Sequence, residues 1–332
     1  MKPNRLFGAI CLLSTAGLFA FASGAKSSVP LHPARRYLII ENGRRGFISR
    51  EGRVVIPARY SWAGDFSDGL AQVRVHDQYG YIDPSGKMVI PPQFKWAGRF
   101  SEGLALVREP TGYGYINKAG KIVIPPRFTW GWNFSEGLAR ILYDGKCGYI
   151  NTNGTIVIKP QFVNPWQFHE GLATVKIVGK WGYIDKTGKI VIPAQFNWGW
   201  DFSDGLAMVM EGEKVGYINN QGALVIPARY DFGSRFSDGL AAVGTGKRWG
   251  YINHAGKMVI PERFEWARAF SGHLAGIKLN GKWGFINERG ATIIPPKFRN
   301  VGAFVDGLAP VENGRQWAYI NTRGGFVWKP AR

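Results

Sequence analysis

The apolar residues of this chain fall into short runs, each closed by a turn former. Near the middle, Trp181-Gly182-Tyr183-Ile184 leads into Asp185-Lys186-Thr187-Gly188 and then Ile190-Val191-Ile192. A third run, Leu206-Ala207-Met208-Val209, follows after a segment rich in Pro, Asn, Gly and Trp. No i, i+3, i+4, i+7 spacing of apolar residues survives, and Gly and Pro interrupt every stretch long enough for a helix. The pattern predicts strands joined by tight hairpins. Asp185 can cap its own turn and Gly188 can take the corner at positive φ.

The same unit recurs with a period of 34 residues. Gly46-Phe47-Ile48, Gly80-Tyr81-Ile82 and Gly114-Tyr115-Ile116 open a series that ends at Ala318-Tyr319-Ile320, nine copies without an insertion. A second glycine follows six residues later in each, from Gly52 to Gly324, and a Phe recurs from Phe66 to Phe304. The period matches that of helical tetratricopeptide arrays, but the composition of the unit excludes them. Each copy reads as a three-stranded meander, so the fold class is all-β. Tyr37-Leu38-Ile39-Ile40 aligns with a third strand and the chain stops just after Phe326-Val327-Trp328, which places nine meanders between Tyr37 and Lys329. A lone meander cannot bury both faces of Ile190-Val191-Ile192, so the modules must stack. Nine three-stranded modules exceed the usual size of propellers built from four-stranded blades. The expectation is therefore an open β-solenoid with Trp328-Lys329-Pro330 as an end cap, the alternative being a closed propeller-like ring. A ring would join Tyr37 to Ile40 to the strand at Phe326 to Trp328 by hydrogen bonds.

Composition adds an address and a charge. Lys2 and Arg5 precede an uncharged run from Leu6 to Ala22, and Ala20-Phe21-Ala22 offers a small-x-small cleavage site. Residues 1–25 read as a signal peptide and 26–36 as a linker, giving a secreted or periplasmic chain, or alternatively one anchored to the membrane at its N-terminus. The chain has 42 Lys+Arg against 23 Asp+Glu, a net +19, with 13 Trp and only 2 Cys. With Cys11 in the export segment, Cys147 is left as an unpaired structural thiol, and no disulfide framework is expected. Five scattered His give no His/Cys metal cluster, and no metal or cofactor is expected.

The motif Lys180-Trp181-Gly182-Tyr183-Ile184-Asp185-Lys186-Thr187-Gly188-Lys189-Ile190-Val191-Ile192-Pro193, with Phe202-Ser203-Asp204-Gly205-Leu206-Ala207 after it, resembles the bacterial WG-repeat (KWG-repeat) family. The similarity spans residues 37–330. The founding Trp stands at Trp181, Trp249, Trp283 and Trp317, and is replaced by Tyr79, Tyr113, Cys147, Val215 and Arg45 elsewhere. That variability implies a partly exposed packing position. The resemblance implies a β-repeat scaffold, often exported, with no settled activity.

Candidate chemistry is sparse. The acidic-Gly pairs, such as Glu136-Gly137 and Asp204-Gly205, are turns; calcium or a glycosidase pair would need several carboxylates in one place. Gly244-Thr245-Gly246-Lys247-Arg248 lacks the full phosphate-loop pattern. Basic residues recur before the first strand at Lys146, Lys180, Lys214, Arg248 and Lys282, a stripe that could follow an anionic polymer. Two positions before the recurrent Phe, most units have Gly64, Gly98, Ser234, Arg268 or Gly302, but three successive ones have Trp132, Trp166 and Trp200, with Trp130 and Trp198 beside two of them. Flat indole faces at the repeat spacing suit sugar stacking or a hydrophobic partner. Alternatively, Trp166 stands in for the Trp missing at Asn164. The expectation is a non-catalytic binding or scaffold module for a macromolecular partner in the cell envelope, a protein or an envelope glycan. An anionic polymer and a purely structural role are the alternatives, and an exported address argues against nucleic acid.

Overall fold

In a computed structural model, residues 35–314 and 316–330 are described. The expected export segment lies outside the described residues, as does most of the linker. Every regular element among them is a strand, and none is a helix able to cross a membrane. The strands form nine sheets, called blades here in chain order. Blade five contains Leu172–Ile177, Lys180–Asp185 and Ile190–Phe196, all antiparallel. In six blades a fourth strand is added from the segment read as a loop, for instance Trp198–Ser203 in blade six and Trp130–Ser135 in blade four. The three-stranded meander is thus a four-stranded blade wherever this segment pairs for more than a single bridge.

The hairpins follow from the residues that form them. Asp185 Oδ1 accepts from the amides of Thr187 (2.9 Å) and Lys189 (3.0 Å), and Gly188 sits at φ 88°. The acidic-Gly pairs are turns with both residues at positive φ, as at Asp204 (58°) and Gly205 (81°). Their carboxylates also reach the next blade: Glu102 accepts from the Gly137 amide at 2.8 Å, and Asp204 from that of Gly239 at 2.8 Å.

The recurrent Gly of the first strand has a steric cause. Trp181 pairs with Phe196 and Tyr183 with Ile192, so the second strand bulges over Gly182. A Cβ there would lie 2.6 Å from the Ile192 carbonyl oxygen and 2.7 Å from the Ala194 nitrogen. Blade nine ends its last strand at Trp328, before any such bulge, and there Ala318 replaces the glycine.

The core lies between neighbouring sheets. Tyr251, Ile260 and Phe264 of blade seven pack on Ala267, Phe270 and Ile277 of blade eight, and equivalent clusters repeat along the chain. Tyr hydroxyls of seven first strands donate to the next blade, as Tyr149 does to the Trp166 carbonyl at 2.6 Å. Trp181, Trp249 and Trp283 are buried and Trp317 is exposed, so the founding Trp is a core residue in three of its four copies.

The array closes, which corrects the open solenoid. Tyr37, Ile39 and Ile48 of blade one form one cluster with Leu308 and Trp328 of blade nine. The Tyr37 and Tyr319 rings meet edge-on at 5.6 Å, the Tyr37 hydroxyl donates to the Asp306 carbonyl at 3.1 Å, and the Tyr319 hydroxyl donates to that of Leu38 at 2.8 Å. The nine blades form a propeller ring. An open array would leave an apolar face of blade one and another of blade nine in water, and closure buries both. Trp328 belongs to this seam and is no cap. The seam also lacks the strand pairing expected of a ring: Tyr37–Glu41 pairs with Arg44–Ile48, and Phe326–Trp328 with Gln316–Asn321. Side chains close it.

Candidate binding cavity

Along the blades runs a ladder of aromatic pairs, one residue from a first strand and one from the segment 17 residues later. Tyr113 meets Trp130 at 4.5 Å, Trp181 meets Trp198 at 4.8 Å, and Trp249 meets Trp266 at 5.3 Å. Between blades four and five the pair is Cys147 and Asn164, and only there does the ladder lack an aromatic altogether. Beside this gap lies a cavity of about 770 Å³, lined by Asn164, Trp132, Trp166, Trp181 and Trp198 together with charged side chains.

The charged lining is mainly cationic. Arg99, Arg140, Lys176 and Arg235 face the space with a single carboxylate, Asp201, and with His169. Arg99, Gln167, Asp201 and Arg235 all stand one residue before the recurrent Phe, in blades three, five, six and seven, so the ring geometry turns one repeat position into a row. Arg140 is fixed by two contacts: its guanidinium donates to the Pro165 carbonyl and lies 3.5 Å over the Trp132 ring.

Asp201 is buried, its side chain 7% exposed, with His169 Nε2 at 3.7 Å and Arg235 at 3.9 Å from Oδ2. Burial pushes its carboxyl above the usual range, against the pull of His169, Arg235 and Arg140 and of the Thr174 hydroxyl beside it. Its Oδ1 has no hydrogen-bond partner, and neither do the buried Trp181 Nε1 and Arg140 Nε. Buried polar atoms are ordinarily paired. Three such unpartnered atoms stand on residues that line the cavity.

Of the five tryptophans singled out, Trp132, Trp166 and Trp198 line the cavity. Trp130 packs into the ladder against Tyr113 and Trp96, and Trp200 packs on the core between blades six and seven. The strip expected at Trp132, Trp166 and Trp200 is thus replaced by a cluster containing Trp198, which is 38% exposed. The basic stripe lies elsewhere: Lys146, Lys180, Lys214, Arg248 and Lys282 are exposed and none lines the cavity. Lys214 pairs with Asp231, Lys180 donates to Asn197 at 3.4 Å, and Arg248 donates to the Arg263 carbonyl at 3.2 Å. Cys147 is buried and unpaired, and burial raises its thiol. One cluster of metal-ligand types, Asp238, His273 and Glu288, brings its atoms within 4.8 Å, all three exposed.

Sequence reasoning missed Arg99, Arg140, Asp201 and Arg235. The signal was present in the row before the recurrent Phe, which runs Asp65, Arg99, Asn133, Gln167, Asp201, Arg235, Ala269 and Ala303. Three of its four charges, Arg99, Asp201 and Arg235, line the cavity. Another row breaks beside it: Ser67, Ser101, Ser135, Ser203, Ser237 and Ser271 each donate to the Phe carbonyl of the next blade, and in blade five His169 takes that place.

A sequence profile for the WG containing repeat matches residues 46–78, 79–109, 113–147, 148–181, 181–214, 216–248, 249–283 and 283–317. No curated protein sequence matches the chain. Among solved structures, the chain is similar to a crystal structure of a eukaryotic initiation factor, at 12% identity over 88% of this chain and 95% of that one, with a TM-score of 0.62. It is also similar to dihydro-heme d1 dehydrogenase NirN in complex with DHE, at 12% identity over 88% of this chain and 76% of that one, with a TM-score of 0.47. At such identity the first likeness speaks to the propeller fold alone, and the second carries no argument.

Proposed function

The chain belongs to the WG containing repeat family, and from that premise we propose that it is a non-catalytic binding module that receives part of a macromolecular partner in the cavity beside Asn164. The observation that carries this reading is the gap in the aromatic ladder, where rings are exchanged for charged and unpartnered polar groups. A core defect alone would not gather four cations around it. The cavity lining brings together one imidazole and one carboxylate, with no hydroxyl or thiol nucleophile among its residues, which favours binding over catalysis. We keep the cell envelope as the setting on the strength of residues 1–25; the mass of the protein isolated from its own cells should then correspond to a chain starting just after Ala22.

Asn164→Trp tests the reading, because it restores the sibling residue found at Trp130 and Trp198 and fills the opening. In affinity capture from the native cells, a partner held by the wild type should be lost by Asn164→Trp while the variant stays folded, although Asn164 stands at φ 47°, where Trp costs about 1–2 kcal/mol. Identical capture by both proteins would refute the cavity as the binding site.

A further inference from the structure

We propose that the cavity takes a carboxylate-bearing sugar unit of an acidic polysaccharide, an inference that rests on the binding role assigned above and names its ligand class. Three features have to be met at once. The first is charge: four cations against one carboxylate leave the lining net positive, so the ligand is anionic. The second is shape. Trp166 and Trp198 are incompletely buried and face the space, whereas one face of Trp132 is already covered by Arg140. Flat apolar walls suit the C–H face of a pyranose ring. The third is a set of buried polar groups in the lining: Asp201, whose carboxylate has the Thr174 hydroxyl beside it, and the unpartnered Trp181 Nε1 and Arg140 Nε suit a ligand that carries hydroxyls as well as an anion.

A uronic-acid residue supplies all three. Its carboxylate meets the guanidinium of Arg235 or Arg99, its ring lies on an indole, and a hydroxyl donates to Asp201 while another accepts from Trp181 Nε1 or Arg140 Nε. A nucleotide would satisfy the charge and the stacking, so it is an arm of the test. A neutral sugar would leave the cations unused.

The test is isothermal titration of the full chain with the trimers of galacturonic acid and of mannuronic acid, a neutral galactose trimer, and adenosine monophosphate. An acidic trimer should bind at least about tenfold tighter than the neutral one. Arg235→Gln should weaken the acidic trimer about tenfold and leave the neutral one unchanged; Asp201→Asn should weaken both by a similar factor. Lys180→Gln, in the stripe, should change nothing. Asn164→Trp should abolish all of this binding. Equal affinity for acidic and neutral trimers, no binding of any trimer, tighter binding of adenosine monophosphate, or indifference to Arg235→Gln would each overturn the assignment. With Asn164-dependent partner capture intact, such a result sinks the sugar alone. Wild-type trimer binding by Asn164→Trp would sink the cavity as well.

Discussion

Adding one methyl group at Gly182 isolates the steric demand of the repeat. Gly182 is absent from the residues with positive φ, so alanine meets no backbone penalty there and should by propensity gain about 0.5–1 kcal/mol over glycine in a strand. Against that gain stands the bulged second strand. The new Cβ would lie 2.6 Å from the Ile192 oxygen and 2.7 Å from the Ala194 nitrogen, both backbone atoms that no rotamer change can move. The strand must shift, at about 1–3 kcal/mol for overpacking. The shift also strains the pairing of Trp181 with Phe196 and of Tyr183 with Ile192, about 1 kcal/mol for each hydrogen bond lost. The expected net loss is about 2–4 kcal/mol. Ala318→Gly supplies the control, since no bulge covers that position; it should cost only about 0.5–1 kcal/mol. Urea unfolding followed by far-ultraviolet circular dichroism and by tryptophan fluorescence measures both. If Gly182→Ala unfolds at the wild-type midpoint or above it, the bulge does not explain the glycine and the reasoning fails.

Three further variants probe the ring and its surface. Tyr37→Ala removes a ring that is 5% exposed and a hydroxyl bonded at 3.1 Å, and should cost about 3–5 kcal/mol, with hydrogen exchange accelerating first in blades one and nine; uniform acceleration would argue against a side-chain seam. Tyr149→Phe deletes one buried bond to the Trp166 carbonyl and should cost about 0.5–1.5 kcal/mol by the same urea assay, the smaller end being expected because Phe47 and Phe285 occupy this position in sibling blades. His273 is hydrogen-bonded to Glu288 at 2.9 Å, which with the charges of Glu288 and Asp238 raises its pKa above the ordinary histidine value. Its contribution to stability is therefore fully present below about pH 6.5 and lost as pH rises through the folded value, and Glu288→Gln should bring the value measured by NMR back down.

How far the molecule could be read from its residues depended on the range of the interaction. The hairpins are local, and Asp185, Thr187 and Gly188 specify their turn without help from elsewhere. The period, the strand runs and the acidic turns were legible for the same reason. Closure was not, because each interface between blades has the same side chains whether the stack returns on itself or spirals away; the decisive contacts join Tyr37 to Tyr319 and Asp306 across nearly the whole chain. The fourth strand was hidden because it pairs over as few as two residues, as at Trp62–Ala63. Of the site, the tryptophan excess was visible and its partners were not. Arg99, Arg140, Lys176 and Arg235 come from four blades and converge only when the ring sets those blades around one cavity.

The repeats also serve as one another's controls, and this bears on why blades four to six depart from their siblings around the cavity. Six sibling serines each donate to a Phe carbonyl, as Ser135 does to that of Phe168 at 2.7 Å; His169 replaces that serine. Asn164 and Cys147 give up an aromatic pair worth about 0.5–1.5 kcal/mol beyond its buried area, and Asp201 places a carboxylate where its Oδ1 goes unpaired. His169, Cys147 and Asp201 are costlier solutions than ones the same chain uses elsewhere, whereas Asn164 suits its φ of 47°; all four lie at or beside the cavity. Stability given up at one spot in this way is the usual mark of a residue kept for function. Reversion should recover it. His169→Ser should add about 0.5–1.5 kcal/mol through the restored bond to the Phe202 carbonyl, read from urea midpoints; by the same assay the double variant Cys147→Tyr with Asn164→Trp should be near neutral, because Trp at the φ of 47° held by Asn164 costs about 1–2 kcal/mol against the ring pair it restores. Stabilised reverted proteins that no longer hold the partner would fit a binding site. Reverted proteins that are less stable would mean that the departures around the cavity compensate one another as packing, and the cavity would lose its claim to function.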